Sequence, residues 1–151
     1  MAVTPKANTE LVAVAWLASA EGIEPGQVAT TLPSDASAWE TNGFVHVVGA
    51  VGGTPQLYYA LREPVVQVDA YAVNPSSGKP PWGKAASLME LVVAATYDQA
   101  GLQRVLTLRA GYPQARVLTA HLMSEPRRVP GDDSSYARYQ ADLLLHWISI
   151  G

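Results

Sequence analysis

Apolar side chains recur at helical spacing in two stretches of the chain and at alternate positions in several others. Leu11, Val14, Ala15 and Ala18 form a stripe one helical turn apart, and Asn8 or Thr9 stands where a cap satisfies the first free N–H groups. Glu10 falls in the first turn, at the positive end of the helix dipole. The pattern predicts a helix over about 9–20, closed by Glu21-Gly22-Ile23-Glu24-Pro25-Gly26, where glycine and proline supply turn dihedrals and remove a donor. A second helix is predicted over about 84–100, stopped by Gly101, with Leu88, Leu91, Val92 and Ala95 as its core stripe. Met89, Val93 and Ala94 widen that arc beyond one sheet contact. Burial on a second side, by a neighbouring helix or subunit, is expected, and the first helix is the obvious neighbour.

The remaining periodicity is that of strands. Gln27 to Leu32 is a short β-branched stretch, followed by a polar loop over 33–42 and a strand from Phe44 to Val51. Gly52-Gly53-Thr54-Pro55 then separates it from Leu57 to Leu61, which reads as a hairpin. From Val65 to Val73, Val66, Val68, Ala70 and Ala72 share one face, and Gln67, Asp69 and Tyr71 share the other. The small apolar face suits a helix lying on it. Strands are also predicted over 104–109, 116–124 and 136–149. In the last, Tyr139, Ala141, Leu143, Leu145 and Trp147 alternate with Arg138, Gln140, Asp142 and His146. This order of elements predicts one α+β domain over 1–151: a mostly antiparallel or mixed sheet, two helices on one face, and protruding loops.

Composition changes the picture in one respect. Hydrophobic residues make up 48% of the 151 positions and charged residues only 15%, against about 25% charged in an average soluble domain. Part of the surface is therefore expected to be covered by another chain. A formal charge of −3 is the reverse of the basic footprint that duplex binding requires. The absence of cysteine excludes disulfides, thiolate metal sites and thiol catalysis. The apolar run Leu11 to Ala18 is too short for a membrane span, which needs about 20 residues. Lys6 followed by that run and Ala18-Ser19-Ala20 has the order of a secretion leader, but Pro5 and Glu10 break it, and the segment reads as the first helix.

Enzymatic signatures do not assemble. Ser77-Gly78-Lys79 lacks the preceding glycine of a phosphate loop, where Val73 stands, and the following Ser or Thr, where Pro80 stands. His46, His121 and His146 lie on separate predicted strands with no short metal spacing. No Gly-x-Ser-x-Gly elbow occurs. No catalytic, cofactor-binding or metal-binding residue is assigned, and no cofactor is expected. The unusual segments are of another kind. Asn74-Pro75-Ser76-Ser77-Gly78-Lys79-Pro80-Pro81-Trp82-Gly83-Lys84 holds a large amphipathic ring among residues that fix the path of a turn, as contact loops do; Trp82 serves equally well as a staple onto the following helix. A second loop, over 125–135, carries Arg127 and Arg128 and the pair Asp132-Asp133, which reads as a loop tip for solvent or a partner.

The strand Val68-Asp69-Ala70-Tyr71-Ala72-Val73, the loop from Asn74 to Gly83, the helix after it and the closing strand Tyr136-Ala137-Arg138-Tyr139-Gln140-Ala141-Asp142-Leu143 together resemble tail terminator (tail completion) proteins of long-tailed bacteriophages, particularly those infecting actinobacteria. The similarity runs in order along nearly the whole chain. It implies a virion protein of the tail or neck, assembled in the host cytoplasm: a homo-oligomer, typically a hexameric ring, that sits on the tail tube, ends addition of the major tail tube protein and meets a head-tail connector or stopper protein. No catalytic residue is carried over from such a family. The interface candidates are the 74–84 segment and Arg127, Arg128, Asp132 and Asp133. Another head-tail connector or neck protein is the alternative, and a small enzyme or a ligand-binding module are further ones.

Overall fold

The computed structural model describes residues 7–54, 61–98, 101–130 and 135–150. Helix α1 spans Thr9–Ala18, and Asn8 caps it by accepting the Leu11 N–H at 2.9 Å. The buried face carries Val12, Ala13, Trp16 and Leu17, not the stripe through Leu11 and Val14, which is half-buried. In a segment apolar on nearly every side, the two largest side chains decide which face turns inward, because they remove the most surface from water.

Strand β1 is short, Val28–Ala29, and runs parallel to β2, Phe44–Thr54. The partner of β2 is not the 57–61 stretch of the predicted hairpin. β2 continues through Gly52 and Gly53 and pairs antiparallel with β3, Glu63–Val73, in a register that sets Gly53 opposite Pro64 and Thr54 opposite Glu63. Leu57 to Ala60 lie outside the described residues, and Leu61 is in no strand. The reason is local: Gly53 has φ +107° and lies so close to β3 that a Cβ would stand 2.6 Å from Pro64 Cα. Gly53 therefore serves a close approach of two strands rather than a turn.

Helix α2 covers Trp82–Tyr97, starting two residues before the prediction; Gly101, expected to stop it, lies beyond it in the following turn. Met89 joins Leu88, Val92 and Ala95 in the core, whereas Val93 is half-buried and Ala94 is exposed. The remaining strands are β4 (Val105–Leu106), β5 (Gln114–Leu122), β6 (Arg127–Arg128) and β7 (Tyr136–Ile150). The 104–109 strand thus shrinks to two residues, and the 125–135 loop contains a strand that was not expected. Among the described residues the sheet has seven strands in the order β1-β2-β3-β7-β5-β4, with β6 also paired to β7. The fold is α+β.

The main core lies under the helices. Val66, Val68 and Ala70 from β3 and Ala141, Leu143 and Leu145 from β7 meet Trp16, Leu17, Met89 and Val92 there. The alternation read for β3 and β7 is the one observed. On the opposite face, the polar 33–42 loop supplies an unexpected core residue: Trp39 packs with Phe44 and Val73 in a smaller cluster.

Candidate interaction surface

The 74–84 segment is a built turn. Asn74 accepts the Ser76 N–H through its side chain at 3.0 Å and the Gly78 N–H through its carbonyl at 3.2 Å. Gly78 sits at φ +67°, where glycine carries no steric cost. Ser77 Oγ accepts the Lys79 N–H at 3.3 Å. Residues 74–79 are exposed and Pro80 and Pro81 are half-buried. Lys84 is a strut: its ammonium donates to the carbonyls of Glu40 at 2.6 Å and of Val73 at 3.5 Å.

Trp82 joins this turn to the second candidate segment. Its ring meets Tyr139 edge-on at 6.1 Å and packs with Ala72, Ala85 and Ala137. The Arg128 guanidinium lies over the same indole, 4.7 Å from its centroid, and Arg128 Nε donates to the Tyr139 hydroxyl at 3.3 Å. Arg127, beside it, donates to Gln140 Oε1 and lies 3.8 Å from the Asp142 carboxylate. The 74–84 and 125–130 segments are therefore one surface at one end of β7, and Trp82 both staples the turn and forms the floor between them. Asp132 and Asp133 lie outside the described residues. Truncating Trp82 to alanine removes the ring that Arg128 covers. A cost of about 2–3 kcal/mol is expected in urea unfolding, together with faster proteolysis of the turn than of the α2 core.

The sheet face away from the helices holds a polar and aromatic constellation. Asp69 is fully buried there, on the face that alternation set opposite the small apolar one. Its Oδ2 accepts from Arg138 Nε at 3.0 Å and Nη2 at 2.7 Å. The same guanidinium stands 5.6 Å from the Tyr71 ring, which also meets Trp39 and Tyr136. Burial, ahead of the opposing influence of Arg138, raises the Tyr71 phenol above its ordinary value.

The three histidines divide. His46 Nε2 is 3.0 Å from the Thr30 carbonyl oxygen, while His146 Nδ1 is 2.7 Å from Thr119 Oγ1 and its ring is 6.4 Å from that of His121. Those partners are a carbonyl and a hydroxyl, not the carboxylate that a hydrolytic arrangement would require. An open cleft of about 410 Å³ is lined by Glu24, Gln27, Asn42, Lys84 and Leu88 among others, and by none of the histidines. Among the described residues no group of three or more metal-ligating side chains converges, and no helix is long and apolar enough to cross a membrane.

Sequence reasoning singled out Trp82 and both arginines but did not join them, because their contact depends on the β6–β7 register. Asp69 and Arg138 were missed as a pair because their contact depends on the β3–β7 register. The only available signal was their common place on the outward face of two alternating strands. No protein-family model matches the chain, and no curated protein matches it.

Proposed function

We propose that this protein is a structural component of a long-tailed phage particle. In this reading it forms a ring on the finished tail tube, ends polymerisation of the major tail tube protein and offers a surface to the head-tail connector. The observation that carries the reading is the Trp82 junction. A proline-fixed turn and an arginine-bearing segment, far apart in sequence, form one pre-organised face with a flat aromatic floor under a cation, a composition enriched where proteins meet. A turn held by its own hydrogen bonds loses little conformational freedom on docking. The low charged fraction of 15% and the resemblance of the strand, turn, helix and closing strand support the same reading. The face works through shape, with no covalent step.

The test is electron microscopy of tails assembled with and without the protein. Overlong tubes are expected in its absence, and normal length should return when it is supplied. Tubes of unchanged length would overturn the terminator role. Tubes of normal length that fail to join heads would point to another neck position. A closed hexamer has a mass of about 97 kDa, six times the 16.1 kDa chain.

A further inference from the structure

Charge is segregated along this chain, and the fold carries the segregation to the two ends of the sheet. Residues 7–61 hold Glu10, Glu21, Glu24, Asp35 and Glu40 and neither lysine nor arginine, whereas residues 101–130 hold Arg104, Arg109, Arg116, Arg127 and Arg128 and one carboxylate, Glu125. The first stretch supplies β1 and β2, at one end of the strand order; the second supplies β4 and β5, at the other, and β6, whose Arg127 and Arg128 lie beside β7 within the sheet.

Each end also presents apolar surface. On the acidic side the partner strand of β2 stops at His46, and beyond it Val48 and Val51 are 41% and 53% exposed. The Ala50 N–H there goes to the Glu10 carboxylate at 3.2 Å instead of to another strand. On the basic side β4 ends the sheet, with Val105 45% and Tyr97 73% exposed. Arg104 Nε donates to the Gly101 carbonyl at 2.8 Å, while its outer nitrogen is 3.9 Å from Asp98, with both side chains more than a third exposed. Arg109 is exposed over Tyr112, and Arg116 Nε is buried with no hydrogen-bond partner among the described residues.

We infer that the acidic β1–β2 end of one copy docks on the arginine-bearing β4–β5 end of the next. The inference rests on the ring reading for closure into a ring, and on the two edges alone for the contact itself. Unlike edges make a heterologous contact, which propagates from copy to copy. Opposite potentials steer the two edges together and oppose pairing of like edges, while the exposed valines and Tyr97 supply apolar area to bury. Such edges are otherwise open to indiscriminate strand pairing, and like-charge repulsion restricts them to one partner orientation.

Two charge-reversed chains test it: Glu10→Arg with Glu21→Arg, which makes both edges basic, and Arg104→Glu with Arg109→Glu, which makes both acidic. Unfolding midpoints establish that each folds. In sedimentation velocity the wild-type chain is expected to self-associate at about 50 mM salt and to lose at least about tenfold in association constant at about 500 mM. Each reversed chain alone should stay monomeric, and a 1:1 mixture should associate. A wild-type chain that remains monomeric at low salt, reversed chains that associate as well as wild type, or a mixture that stays monomeric would each overturn the inference. An oligomer indifferent to the reversals leaves the ring reading standing on another surface. Charge-dependent association by a protein that leaves tube length unchanged sinks the ring reading and keeps the contact.

Discussion

Arg138→Met is expected to destabilise the fold by about 3–5 kcal/mol, because it leaves a carboxylate buried without its cation. Asp69 has no exposed side-chain surface, and both guanidinium donors converge on its Oδ2. Gln67 Nε2, at 3.5 Å from Oδ1, is too distant to replace them. The reverse truncation is milder. Arg138 is 32% exposed, so after Asp69→Asn its charge still reaches water. The double variant should therefore be more stable than Arg138→Met alone, since no uncompensated buried charge remains. Urea unfolding of the three variants measures this. Arg127, whose contact with Asp142 is 49% and 29% exposed on its two sides, is the control, with an expected pair energy of about 0–1 kcal/mol. Equal losses at both arginines would refute this account of the buried pair.

A loss of similar size, about 3–5 kcal/mol, is expected for Trp147→Ala. Trp147 is 1% exposed in the main core, and its indole N–H donates to Thr9 Oγ1 at 3.2 Å, tying the closing strand to the first residue of α1. Its main chain exchanges two hydrogen bonds with Arg62, whose guanidinium stands 5.5 Å from the ring. Trp147→Phe keeps most of the volume and strands the buried threonine hydroxyl, for an expected cost of about 1–2 kcal/mol. Thermal melts of the two variants separate packing from the hydrogen bond. A phenylalanine variant as damaged as the alanine one would make the Thr9 bond, not ring volume, the dominant contribution.

The elements that could be read in advance are those with contrast between their two sides. In β7, Ala141, Leu143, Leu145 and Trp147 alternate with Gln140, Asp142 and His146, and the structure buries the first set and leaves the second half-buried. Helix α1 has no such contrast, so periodicity named the wrong stripe and the bulk of Trp16 and Leu17 settled its rotation. Gly52-Gly53 carries the same composition in a turn as in a tight strand crossing; only the approach of β3 distinguishes them. The burial of Asp69 was not legible because alternation reports a face and not what covers it. Its cover, Arg138, comes from a strand brought alongside by register, which a single chain's pattern does not encode. For the candidate surface, Trp82 was visible as an odd residue in a turn, but β6 is two residues long and exists only because β7 offers it a place to pair.

The Lys84 ammonium grips the carbonyls of Glu40 and Val73 at once. Val73 enters the 74–83 turn, Lys84 leaves it, and Glu40 adjoins Trp39 on the far side of the sheet. The turn is thus anchored at its base by the chain itself, through β3 and α2, and by one ammonium that ties it to the 33–42 loop. Acylation of this one amine would remove the cross-link to Glu40 and leave the 33–42 loop without its tie to the start of α2.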